Sequence, residues 1–463
     1  MRIRMIAILL IATLIFTTAG CSSGNETDRF SPDYIEQIVN PDRSLFYGET
    51  ITIATDLIYT LGSHANLYMR KNPGVNIHIT SYHSILSQNN TLHDFEREFG
   101  PVRLEIATQL MAGAAPTLIN ASLADPFDPR QATFFYDWYL LMESDPNFNE
   151  DDWFMNAFHA FAIDGQLNHF PLHIMHTPVV ANMTIPGLLE AMAEKAEGIT
   201  MPELMALHLE FSVNHPHLLE EYFNAEILMR YYLDRFVDIE TGRVDFGQEF
   251  IDLLIYAEGI TGPGAGIARR WRNSSFATIP QKIECYLFHF EFYWHYYRTF
   301  LGGDSPFASV TPLVNDQGEL LIDARFSYLL NTNATPIEKA IAWDFLMFAM
   351  QVEHQQQSSI MALEAHPTSR NLFHDNVRYL LPATIEGGFT WFSGPIEEGL
   401  DHVITAMTAW GEMPMRSVSL RPRVIDDIVA DNLRLFHDGL LSAEQTAQNL
   451  QDQIALVLME MAR

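Results

Sequence analysis

An α/β fold, a mainly parallel sheet with helices on both faces, is predicted from three observations. Short β-branched runs alternate with segments of helical periodicity along the first 120 residues. Hydrophobic residues make up 48% of the chain and aromatics 12%, enough to fill a core and too many for a disordered chain. The length of 463 residues suits two lobes of about 200 residues each better than one domain.

The elements can be justified in order. Ile51-Thr52-Ile53-Ala54-Thr55 is the first strand. Leu61, Ala65, Tyr68 and Met69 recur at helical spacing over 61–71, and Asn72-Pro73-Gly74 ends that helix. Residues 75–80 alternate as a second strand, 102–112 form a helix stopped by Gly113, and 117–121 form a third strand. Such a βαβαβ start belongs to sheets whose ligands bind beyond the carboxyl ends of the strands. Three later helices announce themselves by capping boxes, Thr200 to Glu203, Thr335 to Glu338 and Ser442 to Gln445. The Gly- and Arg-rich stretch 259–275 reads as an exposed loop.

Charge excludes one class of partner. The chain has 58 Asp and Glu against 27 Lys and Arg, a formal charge of −31, and its lysines are only Lys71, Lys195, Lys282 and Lys339. Such a field repels phosphate backbones, so no nucleic-acid partner is expected. The cysteines are Cys21 and Cys285, which allows neither a disulfide framework nor a Cys-rich zinc site. Histidines are abundant, the closest groups being His173 with His176, His215 with His217 and His289 with His295, but Pro216 sits inside the His-x-His pair and no Asp or Glu partner stands out there. No metal and no cofactor are expected. Phosphate-binding P-loops, His-Glu-x-x-His and Gly-x-Ser-x-Gly are all absent.

The N-terminus carries an export signal. Arg2 and Arg4 precede an apolar run over 5–16, about 18 Å as a helix and too short for a bilayer core of about 30 Å. Thr18-Ala19-Gly20-Cys21 resembles the bacterial lipobox, with Thr18 where Leu is usual. The resemblance implies a signal peptide over 1–20, a diacylglyceryl and palmitate modification at Cys21, and a lipoprotein held at the extracellular face of the cell membrane. Residues 21–45 are polar and read as a flexible lipid-anchored tether.

From about residue 50 onward the chain resembles the extracellular solute-binding proteins, family 1, of bacterial ABC importers, the maltose-binding-protein-like group. Residues 65–75, with Tyr68, Pro73, Gly74 and Val75, are similar to the family's entry to its second strand. Gly113 to Ile119 is similar to its "Gly-x-x-Pro-Asp-Ile" element, with Thr117 in place of Asp. Asp164-Gly165-Gln166-Leu167-Asn168-His169-Phe170-Pro171 resembles the stretch where the chain crosses between lobes, and Ala342-Trp343-Asp344-Phe345-Leu346-Met347-Phe348 a family helix. Residues 436–460 resemble its closing helices.

The resemblance implies a two-lobed periplasmic-binding-protein-like fold with a hinge and a central cleft. Lobe one is placed at 46–160 and 310–360, lobe two at 161–309 and 361–463. It implies a monomer that is not an enzyme, that captures a small solute, favoured as a sugar or oligosaccharide, and that delivers it to ABC transporter permease subunits. Candidate ligand contacts follow the strand ends: Asp56 and Tyr59 after the first, Tyr82 after the second, Asn120, Ser122 and Asp125 at the third, and His173 after Pro171. Trp271, Trp294 and Trp391 offer aromatic faces for stacking, Trp391 on a loop between Gly387-Gly388 and Gly394-Pro395, and Arg370 offers a charged donor. Trp343 is assigned to the core. The competing readings are a lipid-anchored surface hydrolase of the glycosidase type, which needs two facing carboxylates, and a surface binding protein without a transporter.

Overall fold

The computed structural model describes residues 30–56, 58–82, 92–176, 178–182, 186–212, 225–261, 284–285, 307–351, 366–375, 404–405 and 407–461. The chain enters through a short helix, α1 (Pro32–Val39), capped by the Ser31 hydroxyl, which accepts the Tyr34 N–H. Strand β1 (Thr50–Thr55) leads to α2 (Ile58–Lys71) and β2 (Asn76–Ser81). Helix α3 (Leu92–Met111) is followed by β3 (Leu118–Asn120). The β1 register is parallel to both neighbours, Thr55 opposite Ser81 and Ala54 opposite Ile119. The βαβαβ start is therefore present as read from the sequence. The main difference is the start of α3, expected at 102: the helix begins at Leu92 and runs through Pro101.

Two further helices, α4 (Trp138–Ser144) and α5 (Met155–Phe161), lead to β4 (His169–His176) and β5 (Pro178–Asn182). Then come α6 (Met201–Ser212), α7 (Ala225–Phe236) and α8 (Gln248–Thr261). Residues 259–261 thus finish a helix, and the remainder of the loop expected over 259–275 lies outside the described residues. The chain returns through β6 (Phe307–Val314) and the long β7 (Leu320–Leu330) into α9 (Pro336–Ala349). A two-residue strand, β8 (His366–Pro367), a three-residue strand, β9 (Met415–Ser417), and the closing helices α10 (Arg423–His437) and α11 (Ala443–Met461) follow, with shorter elements between the ones named. All three capping boxes form as expected. In the Thr335 box the Glu338 N–H donates to Thr335 Oγ1 at 3.2 Å and the Thr335 N–H to Glu338 Oε2 at 2.7 Å. The Thr200 and Ser442 boxes are reciprocal in the same way.

Strand β7 organises the sheet. It runs antiparallel to β3 (Tyr328 opposite Asn120), to β4 (Asp323 to Leu329 opposite Met175 to His169) and to β6, and parallel to β9. The sheet is therefore parallel across β2, β1 and β3 and mixed beyond. Phe326 lies within β7 at φ 51°, a left-handed value that costs a bulky residue about 1–3 kcal/mol. This is where β7 passes from β9 on one side to β3 on the other.

Apolar residues gather around two centres. The first takes α1, β1, α2, α4, α5, β4, most of β7 and α9, with a satellite under α3 on the opposite face of β1 and β3. The second takes β5 to α8, with Leu313, Leu321, α10 and α11. Three passages of the described chain connect them, between Ile174 and Val179, between Leu313 and Leu320, and between Met415 and Val418. All three lie against β7, so the two halves meet along one line.

This packing moves two boundaries. Residues 161–174 and the described parts of 366–415, expected in lobe two, pack in the first centre through Phe161, Phe170, Phe373, Met407 and Trp410. Gly411 lies so close to the Phe154 ring that a Cβ there would overlap it, which fixes this stretch to the first centre. The tether expected over 21–45 is also shorter. Ile35, Ile38 and Val39 are buried against α9, and Arg43 Nη2 meets Asp344 Oδ1 at 2.5 Å. Polar composition hides three apolar residues spaced at 35, 38 and 39, one helical face. No helix among the described residues is long and apolar enough to cross a membrane.

Candidate functional site

The parallel strands set the site. β1, β2 and β3 end side by side, and the residues that follow them converge. The Tyr82 N–H donates to the Thr55 carbonyl at 3.0 Å, so Asp56 and Tyr82 leave adjacent strands together. Asp56 is buried, and its Oδ1 accepts the Thr55 hydroxyl at 3.4 Å. Asn120 ends β3, and its Oδ1 accepts the Ser122 N–H at 2.9 Å, turning the chain sharply after the strand. Two arginines hold this turn by its carbonyls: Arg103 Nε donates to Ser122 O at 3.1 Å and Arg423 Nη2 to Ala121 O at 2.7 Å. Asp125 is buried just beyond.

Tyr328 of β7 lies beside this group. Its side chain is fully buried, Asn120 is its register partner on β3, and its hydroxyl has no hydrogen-bond partner among the described residues. Burial pushes the Tyr328 hydroxyl well above its ordinary ionisation range, and the Asp56 charge adds to that. Burial likewise raises Asp125, against the Arg423 N–H and guanidinium, which lower it. Tyr82 is raised by burial and then by Glu105. Ser122 Oγ is buried with no hydrogen-bond partner among the described residues, a group that asks for one. The arrangement is a small buried array of hydroxyl, amide and carboxylate oxygens at strand ends. It suits a neutral polyhydroxylated solute, which both donates and accepts.

Five of the residues chosen from sequence are brought together here: Asp56, Tyr82, Asn120, Ser122 and Asp125. Three others are placed differently from expectation. His173 was expected on a loop after Pro171, but it lies within β4, buried, paired with Arg325 and Pro367, its ring edge-on to Phe326 at 5.7 Å. It is three residues along the strand from Phe170, which pairs with Tyr328, and therefore on the opposite face. The flanking Pro171 suggests a break, yet this strand has β7 beside it to carry the chain straight on. Arg370 is consumed by structure: Nε donates to the Trp153 carbonyl at 2.8 Å, both Nη atoms bind the Glu412 carboxylate, and the guanidinium lies 4.6 Å over the Phe154 ring. Tyr59 falls in α2 rather than on a loop, and its side chain lies outside the described residues, as do Cys21, Trp271, Trp294 and Trp391. Trp343 is in the core, as assigned.

The sequence reading missed Thr55, Tyr328, Arg103 and Arg423. Tyr328 had only a faint signal, as a polar-tipped residue beside Ser327 in the run Phe326-Ser327-Tyr328-Leu329-Leu330. The arginines had none, because their acceptors are backbone carbonyls. Among the described residues no three His, Cys, Asp or Glu side chains converge on a metal-sized site.

No family profile and no curated protein matches the chain. Solved structures do. The sugar-binding protein MalE from the phytopathogen Xanthomonas citri is 12% identical and superposes with a TM-score of 0.59 over 89% of this chain and 98% of that one. Maltose-bound MalE3 of T. maritima is 14% identical, with a TM-score of 0.52 over 88% and 99%. An ABC substrate-binding protein from Listeria monocytogenes in complex with cycloalternan is 12% identical, with a TM-score of 0.52 over 89% and 99%. At this identity the likeness is one of fold, and it extends over almost the whole of each relative: the chain has the two-lobed α/β fold of the periplasmic-binding-protein-like solute-binding proteins.

Proposed function

We propose that this protein is a solute-binding lipoprotein that captures a sugar or oligosaccharide between its lobes and hands it to the permease of an ABC importer. The observation that carries the reading is the polar cluster of Asp56, Asn120 and Ser122 at the carboxyl ends of parallel strands, with Tyr328 of the antiparallel β7 opposite Asn120, in a fold shared with proteins that hold maltose and cycloalternan. Asp56, Tyr82, Asn120 and Ser122 are the first-lobe contacts; Tyr59, Trp271, Trp294 and Trp391 are further contacts on the sequence argument alone. The protein works as a monomer and performs no covalent chemistry. A solute that touches both lobes favours the closed arrangement, which is the form a permease can distinguish.

A thermal-shift screen against mono- and oligosaccharides, peptides and metal ions tests this. A sugar at 100 times its dissociation constant adds about 2.7 kcal/mol to stability. Stabilisation by peptides alone, or turnover of a glycoside, would replace the reading. Tyr82→Ala and Asn120→Ala serve as site controls, each expected to weaken the sugar at least tenfold.

The anchor is part of the same proposal. Cys21 follows Thr18-Ala19-Gly20 and a short apolar run. Cys21→Ala is expected to move the protein from the membrane fraction to the medium on cell fractionation. A variant that still sediments with membranes would refute lipidation at this position.

A further inference from the structure

Helix α10 starts without a cap of its own. Its N-cap residue is Pro422, which has no side-chain acceptor, and the first N–H, that of Arg423, donates instead to Asp125 Oδ2 at 2.8 Å. Asp125 is 298 residues away and follows β3 of the first lobe, whereas α10 buries Ile425, Val429, Leu433 and Phe436 in the second centre. The cap is thus supplied across the line where the lobes meet. An aspartate at a helix N-terminus is favoured both by the hydrogen bond and by the helix dipole. The Arg423 side chain reaches back over the same gap, to the Ala121 carbonyl at 2.7 Å, one residue from both Asn120 and Ser122.

Each end of this connection is stiff. On the first-lobe side Asp125 Oδ1 accepts the Phe127 N–H at 3.1 Å, and the Asp125 N–H donates to Gln131 at 3.3 Å. On the second-lobe side the buried Arg421 ties the entrance of α10 to the Val418 carbonyl at 2.6 Å, to Asp426 at 2.6 Å and to Asp234 of α7 at 3.4 Å. A relative rotation of the lobes therefore cannot be absorbed at either end. It must break the Asp125 and Ala121 bonds or move the turn that carries Asn120 and Ser122.

We infer that Asp125 and Arg423 are positioning residues, an interlobe clasp that couples the angle between the lobes to the shape of the strand-end site. Asp125 is then occupied by the helix rather than by solute, a reassignment of one residue chosen from sequence. The clasp follows the carboxyl end of β3, beside Asn120 and Ser122, so it draws the lobes together next to the strand-end site in the absence of solute. The effect on the lobes stands on the two-centre packing; only the effect on affinity rests on the proposed solute binding.

Small-angle scattering of the solute-free protein reads the clasp directly. Asp125→Ala is expected to enlarge the radius of gyration with an unchanged circular dichroism spectrum, and Asp125→Asn, which keeps an acceptor oxygen, to restore the wild-type value. Arg423→Ala leaves the cap and removes only the hold on Ala121; it is expected to enlarge the radius as well, and it serves as the reading should Asp125→Ala not fold. For the sugar identified by the screen, Asp125→Ala is expected to bind about three- to tenfold more weakly through the population shift, with Asp125→Asn near wild type. A solute-free radius that stays at the wild-type value in the folded variants overturns the clasp. Weakened sugar binding at an unchanged radius would return Asp125 to the solute contacts. If no sugar binds at all, the proposed function fails while the scattering still decides the clasp.

Discussion

Trp138→Ala should lower the stability of the first lobe by about 3–5 kcal/mol, the range for removing a large aromatic from a packed core. Trp138 is the largest fully buried side chain among the described residues. Its ring lies 5.5 Å from Phe170 and 6.0 Å from Trp343, centroid to centroid. Phe148, Trp153 and Phe158 continue the same aromatic cluster, Phe158 at 5.1 Å from Phe170. The indole N–H also donates to the Tyr328 carbonyl at 3.1 Å, and the backbone N–H to Leu167 at 2.9 Å. The residue therefore ties α4 to β7 and to the segment that leads into β4. Trp138→Phe keeps a ring and loses the indole hydrogen bond, so it should cost less, about 1–2 kcal/mol. Guanidinium unfolding followed by far-ultraviolet circular dichroism measures both. A loss under 1 kcal/mol for the alanine variant would contradict the packing of this cluster.

Lys339→Met should cost about 2–4 kcal/mol although Met nearly matches Lys in shape. The Lys339 side chain is completely buried in α9. Its ammonium donates to Tyr34 Oη at 2.9 Å, to the Thr332 carbonyl at 2.8 Å and to the Ala334 carbonyl at 2.5 Å. The rings of Tyr34 and Tyr136 lie 5.3 and 5.4 Å from the charge. A buried ammonium with three oxygen partners and two aromatic faces is compensated; a thioether in its place leaves carbonyls without a donor, at about 1–3 kcal/mol each when buried. The variant should also loosen α1, whose Tyr34 loses its partner. Limited proteolysis would then cut within 30–46 faster than in the wild type. An unchanged melting temperature together with an unchanged cleavage rate would rule the account out.

The sequence made the local structure of the first 120 residues legible, because each element there has both its period and its stop signal. Asn72-Pro73-Gly74 ends α2, and Gly74 adopts φ 99° beneath the Tyr47 ring. The capping boxes were readable for the same reason: their hydrogen bonds lie within four residues. What the sequence could not show is set by partners hundreds of residues away. Lys339 reads as one more solvated lysine until Tyr34 closes over it, and Arg370 as a free donor until Glu412 meets it. The site divides along the same line. Asp56, Tyr82, Asn120 and Ser122 follow strand ends and could be chosen by that rule, whereas Tyr328 reaches them only because β7 pairs antiparallel with β3. The interlobe cap on α10 left no trace in sequence, since an aspartate that caps a distant helix resembles any other.

If Cys21 carries the proposed lipid, the docking of α1 sets how far the body can stray from the bilayer. A tether ending near residue 45 would give a leash of more than twenty residues and a reach of about 80 Å when extended. With Phe30 stacked on Tyr136, Ser31 capping α1 and α1 packed on α9, the eight residues 22–29 separate Cys21 from the body, a span of about 28 Å at most. For a protein anchored at Cys21, that length is less than the body of the molecule. The flank bearing α1 and α9 must then ride low over the lipid headgroups. The protein cannot tumble end over end at its anchor, and only a subset of its orientations can ever meet a neighbour embedded in the same membrane.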